Sequence, residues 1–118
     1  MKKNVILLII MGVLIVAGAF FIFRQNKTAA SNDIILFYRN DCPHCAKVDA
    51  YITTNNIEQK IKFTRKEIHD QTNSDLLLQK AAACGIAQDS VGVPFLSVGN
   101  NCYMGEDQIE QFFSDQTK

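Results

Sequence analysis

The chain predicts an α/β domain of order β-α-β-α-β-β-α in residues 33–118, preceded by one apolar N-terminal helix. Three observations carry that expectation. Short apolar or alternating runs of strand length alternate with segments of helical period, as strands and covering helices do. A cationically flanked apolar run occupies the start. The total of 118 residues then leaves room for one small domain and no second.

Val5 to Phe23 is a run of 19 residues without a charged or strongly polar side chain. As a helix at about 1.5 Å per residue it spans roughly 28 Å, close to the hydrocarbon thickness of a bilayer. Lys2 and Lys3 precede it, and Arg24 and Lys27 follow it. The leading side, with the terminal amine, is slightly more cationic. The positive-inside bias therefore favours a cytoplasmic N-terminus and an exported C-terminal part. A cleaved signal peptide competes with the anchor, because Ala17-Gly18-Ala19 is an A-x-A pattern after an apolar stretch. Against cleavage, Phe20-Phe21-Ile22-Phe23 continues the apolar run past the cut. Residues 1–24 are thus expected to be an anchor or signal segment and 25–32 a polar linker. Both readings put the domain outside the cytoplasm, on a single-pass cell-membrane protein or a secreted one.

In the domain, Ile34 to Tyr38 is continuously apolar, like a strand buried on both faces. Asp41-Cys42-Pro43 reads as a helix start with Pro43 at the first helical position. Val48, Tyr51 and Ile52 share one face of that helix, which Asn55-Asn56 ends. Ile61, Phe63 and Arg65 alternate with Lys62 and Thr64 in a second strand reaching Ile68. Lys60, Lys62, Arg65 and Lys66 are expected on its exposed side, as on an edge strand. Asn73 or Ser74 caps a second helix over Asp75–Ala83, terminated by Gly85. A third strand covers Val93–Val98, Gly99-Asn100-Asn101 has hairpin turn chemistry, and Cys102–Met104 is the fourth strand. Glu106–Ser114 closes the chain as a helix with Ile109, Phe112 and Phe113 on its core side. His69 is expected to be a solvated loop residue.

Charge excludes some functions. The chain has 12 basic and 12 acidic residues, yet four of the bases and none of the acids lie in the first 30. Residues 31–118 are therefore mildly acidic, which excludes a basic nucleic-acid binder. Aromatic and β-branched residues recurring along this part exclude disorder.

Cys42-Pro43-His44-Cys45 sits where a buried strand gives way to a helix. A thiolate, and not a thiol, attacks a disulfide. Unpaired N–H groups and the macrodipole at a helix start favour that anion. Cys42, the outer residue, is the candidate nucleophile, and Cys45 lies one turn further in, within reach to resolve a mixed disulfide. His44 adds a dipole or a charge, and Arg39 stands three residues upstream. Structural zinc also uses C-x-x-C, but Cys84 and Cys102 are too far apart to be its second close pair. Haem attachment needs histidine where Ala46 stands. A surface copper or zinc module using Cys42, His44 and Cys45 is the alternative of a different class. No metal or other cofactor is expected for the leading reading.

With these motifs, residues 33–118 resemble the thioredoxin-fold superfamily, and in size and element order they are most similar to glutaredoxins. Phe37 to Cys45 is similar to the glutaredoxin active-site run, with Arg39 in place of the usual lysine. Gly92-Val93-Pro94-Phe95-Leu96 resembles the second hallmark, a Val-Pro with a cis peptide bond. The Pro43-His44 dipeptide is similar to that of DsbA-type thiol oxidases. The resemblance implies a four-stranded mixed sheet and an exported, membrane-tethered thiol–disulfide oxidoreductase that donates disulfides to secreted proteins. Reductase and isomerase are the alternatives within that fold. A membrane redox partner would recycle it.

By the same resemblance Val93, before Pro94, offers its backbone to an extended substrate. The fold implied would put Cys84 and Cys102 together at the end of the sheet opposite Cys42, as a structural disulfide; two buried, unpaired thiols are the alternative. Two departures stand out. Leu36 occupies the place where thioredoxins and DsbA-type proteins carry a buried acid. Met104-Gly105 replaces the Gly-Gly pair of glutaredoxins.

Overall fold

In the computed structural model, the described residues are 1–25 and 33–118, with side chains described for 1–18 and 33–118. The chain divides into two compact units, 1–31 and 32–118. In the first, α1 (Lys2–Gln25) takes in the apolar run. Among the described residues no helix is long and apolar enough to cross a membrane. The expected linker, from residue 26 onward, lies outside the described residues.

The second unit is built from β1 (Ile34–Tyr38), α2 (Pro43–Thr54), a one-turn α3 (Ile57–Lys60), β2 (Thr64–Glu67), α4 (Gln71–Ala83), β3 (Phe95–Val98), β4 (Asn101–Met104) and α5 (Glu106–Gln116). The four strands form one mixed sheet in the order β2-β1-β3-β4. β1 runs parallel to β2 and antiparallel to β3, and β3 pairs antiparallel with β4. This is a mixed, four-stranded α/β arrangement with helices on both faces.

The pleat sorts β1 onto two cores. Leu36 points to one face, where it clusters with Val48 and Ile52 of α2, Leu96, and Ile109, Phe112 and Phe113 of α5. Ile35 and Phe37 point to the other, with Phe95 and with Leu77 and Ala81 of α4. An apolar run without alternation is what such double coverage requires.

Several boundaries differ from the sequence reading, each for a local reason. β2 begins at Thr64 because residues 57–60 take a helical turn, entered through Asn56 at φ 51°. Ile61 and Phe63 still pack on the α2/α5 face, ahead of the strand. Arg65 has the same parity as Phe63 and pairs with Leu36 across the sheet, so it is half-buried rather than on the exposed side. α4 starts at Gln71 and not Asp75, because Asp70 supplies the cap: its Oδ1 accepts from the Thr72 amide at 2.9 Å. A 3-10 turn at Gln88–Ser90 precedes β3, which begins at Phe95 rather than Val93. In the hairpin Val98 pairs with Asn101, so Gly99-Asn100 alone make the turn. α5 runs two residues beyond Ser114.

Cys84 caps the C-terminal end of α4 and Cys102 lies in β4, and the two are bonded, with Cα atoms 6.2 Å apart. Cys42 and Cys45 carry free thiols.

Candidate active site

Cys42 is the N-cap of α2, in extended backbone conformation, with Pro43 at the first helical position. Proline fits there because its missing N–H would have had no intrahelical partner. The side-chain acceptor of this cap is the sulfur: Cys42 Sγ accepts from the Cys45 amide at 3.2 Å. A helix normally takes a serine, threonine or aspartate oxygen at that point. Here the same unsatisfied N–H and the same dipole act on sulfur, and they act more strongly on a thiolate than on a thiol. As a thiol, Cys42 donates to the Val93 carbonyl at 3.8 Å. Its amide donates to the Arg39 carbonyl at 3.4 Å, which holds the loop between β1 and α2.

Val93–Pro94 is a cis peptide bond. The Pro94 carbonyl accepts from the Gly105 amide at 2.9 Å, tying this loop to the start of α5. Gly105 has φ 94°, a conformation that a side chain would strain.

Cys45 is 6% exposed and Cys42 7%, so what separates the two thiols is the hydrogen bonding and not the degree of cover. Burial, then its hydrogen bond with the Cys42 sulfur, pushes the Cys45 thiol up to about 11, against a smaller opposing effect of the Arg39 backbone. The two sulfurs are therefore inequivalent. Cys42 Sγ accepts from a helix amide, whereas burial and the bond to that same sulfur favour the protonated form of Cys45.

The cationic side chains lie differently from the simplest expectation. His44 turns to a carboxylate: its Nδ1 is 2.9 Å from Glu106 Oε2 at the first turn of α5. That contact, helped by Lys47 at 3.6 Å from Oε1, holds the Glu106 carboxyl below its ordinary value. Arg39 pairs with Asp41 at 3.3 Å. His69, though exposed, is not free in solvent; Nδ1 lies 2.8 Å from Glu67 and Nε2 4.0 Å from Asp41.

Two depressions flank this constellation. One, of about 310 Å³, is lined by Leu36, Tyr38, Arg39, Cys42, Cys45, Asp49 and Arg65, among others. The other, of about 490 Å³, is lined by His44, Val93, Pro94, Met104 and Glu106, among others. Asp49, Arg65 and Glu106 were not among the site residues read from the sequence. Asp49 had a signal there, since it follows Cys45 by one helical turn. Glu106 had none, being 62 residues from His44.

Among the described residues no group of three His, Cys, Asp or Glu side chains is placed to hold a metal ion. No protein-family model matches the chain, and no curated protein matches it. Among solved structures it is similar to oxidized glutaredoxin 2 from Chlamydomonas reinhardtii, with 24% sequence identity, a TM-score of 0.48, and coverage of 84% of this chain and 87% of that one.

Proposed function

We propose that this protein is a thiol–disulfide oxidoreductase working through Cys42 and Cys45, tethered by residues 5–23 and facing the outside of the cell membrane. The observation that carries the reading is the inequivalence of the two sulfurs. Cys42 Sγ caps α2 at 3.2 Å from the Cys45 amide, while the Cys45 thiol is pushed up to about 11. One thiol is thus suited to attack and to form the mixed disulfide, and the other to wait behind it.

Donation of disulfides to secreted protein thiols is the direction proposed. Helix amides that favour the Cys42 thiolate stabilise the reduced form, and that makes the disulfide the stronger oxidant. Arg39, paired with Asp41, stands near the same helix start. Val93, whose carbonyl already faces Cys42, would pair with an extended substrate segment on the approach side. A membrane redox partner would return the pair to its disulfide. The tether rests on the apolar run and its cationic flanks.

Equilibration of the Cys42–Cys45 pair against a thiol buffer tests the direction. A potential nearer about −120 mV than about −270 mV supports donation. A value at the low end overturns it in favour of a reductase. For the tether, the protein should stay with membranes through an alkaline carbonate wash and keep its N-terminus; a soluble chain beginning near residue 20 would mean a cleaved signal.

A further inference from the structure

A desolvated Cys45 poses a problem that the exchange reaction must solve. To resolve a mixed disulfide it has to lose its proton, and Leu36, which lines the same cleft, has no group to take one. The cleft of about 310 Å³ on this side reaches Cys45 and is large enough for about ten waters. The ionisable groups lining it from each neighbouring element are Tyr38 at the end of β1, Arg39 in the following loop, Cys42 and Asp49 of α2, and Arg65 of β2. Glu58 stands behind Arg65. Of those lining the cleft, Asp49 alone carries a carboxylate.

Its place is well defined. Asp49 follows Cys45 by four residues on α2, which puts both on one face of the helix. Arg65 donates from Nη1 to Asp49 Oδ1, and from Nε and Nη2 to Glu58 Oε1 at 3.0 and 2.8 Å. The guanidinium, over the Phe63 ring at 5.7 Å, is itself half-buried. The Asp49 side chain stays 58% exposed, so the carboxylate is held in place and wetted.

We infer that Asp49, positioned by Arg65, is the proton exchange partner of Cys45, acting through water in this cleft. The inference rests on the reading of Cys42 and Cys45 as the exchanging pair. When a mixed disulfide resolves, the Cys45 proton passes through water to Asp49 and on to solvent. The Cys45 thiolate attacks Cys42 Sγ, the Cys42–substrate bond breaks, and the substrate sulfur leaves as a thiolate. Cysteines 42 and 45 are oxidised together and the substrate disulfide is reduced. In the donating direction a substrate thiolate attacks Cys42 and the Cys42–Cys45 bond breaks. Cys45 leaves with the electron pair and takes a proton along the same route. Asp49 touches neither sulfur; it serves as a positioning residue for the proton.

The test is stopped-flow reduction of an aryl disulfide by the reduced full-length chain in detergent micelles. One coloured thiolate is released when Cys42 attacks, and a second when Cys45 resolves. Asp49→Asn should leave the first release at the wild-type rate and slow the second roughly tenfold to a hundredfold near pH 7, below or at the low end of direct acid–base catalysis. That deficit should shrink as pH rises and Cys45 ionises unaided. Asp49→Glu should recover most of the rate. Glu58→Gln removes the charge of Arg65's other partner but keeps the Arg65–Asp49 pair, and should behave as wild type. A second release unchanged in Asp49→Asn at every pH, or slowed equally in Glu58→Gln, overturns the inference. A wild-type chain that never releases the second thiolate overturns the oxidoreductase reading instead.

Discussion

The amide of Cys45 donates to the sulfur of Cys42 at 3.2 Å, so the first cysteine of the pair caps the helix by accepting from the second. This one contact makes the two thiols chemically different. A negative charge on Cys42 gains from the cap, whereas a charge on Cys45 would be buried beside it.

Selective alkylation follows from that difference. At pH 7 iodoacetamide should modify Cys42 and leave Cys45 intact, because a helix amide favours the Cys42 thiolate while the Cys45 thiol is pushed up to about 11. Mass spectrometry of peptides from the reduced chain reads both sites. Equal modification of the two would mean that the cap does not distinguish them.

The second cysteine pair should act on stability alone. Cys84 and Cys102 close a loop of 18 residues. On the chain-entropy estimate such a loop contributes roughly 3 kcal/mol. The double substitution to serine should therefore lower the urea midpoint while leaving the rate of Cys42 alkylation unchanged. A matching loss of Cys42 reactivity would indicate that the two pairs communicate.

Packing gives a larger effect at Phe113. It is fully buried, 5.3 Å from the Phe63 ring and 5.6 Å from Phe112. Truncation to alanine should cost about 3–5 kcal/mol, the usual range for a core phenylalanine. Chemical denaturation measures it, and a loss below about 1 kcal/mol would mean that α5 is not anchored through this ring.

These residues also show how far the sequence could be read. Phe113 and Ile109 declared themselves by helical spacing, and the buried β1 by an apolar run without alternation. Cys42 and Pro43 marked their own position, because proline and a capping side chain have few other uses side by side. Asp70, and not Asn73 or Ser74, caps α4, but all three residue types cap helices and nothing local in the sequence ranks them. The electrostatics were least legible. Whether His44 faces a thiolate or a carboxylate depends on where α5 begins in space, and Glu106 is brought there by β3, β4 and the Gly105 turn. Arg65 was half readable, since its parity matched Phe63 but its partners came from α2 and α3.

The His44–Glu106 pair makes an acid-side expectation. Hydrogen bonding to His44 is the main reason that Glu106 is held below its ordinary value of 4.5. A lowered carboxylate contributes stability that is complete above its unfolded value and lost as pH falls through the folded one. Wild type should therefore lose more thermal stability between pH 6 and pH 3 than Glu106→Gln does. Parallel melting curves for the two chains would show the pair to be inconsequential.

At the alkaline end the sign reverses. Cys45 is raised from 9.0 to about 11, chiefly by burial. Its contribution to the stability of the reduced domain is fully present below about pH 9, and it is lost as pH rises through the folded value. The oxidised domain has no Cys45 proton to lose, so its stability should not carry this dependence. Urea denaturation of both forms at several pH values between 8 and 11 should therefore show the reduced form losing stability relative to the oxidised one. Because the pair's potential reflects the stabilities of its two forms, the disulfide should become the more favoured state over the same interval. If the two forms kept a constant difference in stability up to pH 11, Cys45 would have to be accessible to water and the asymmetry at the helix start would rest on Cys42 alone.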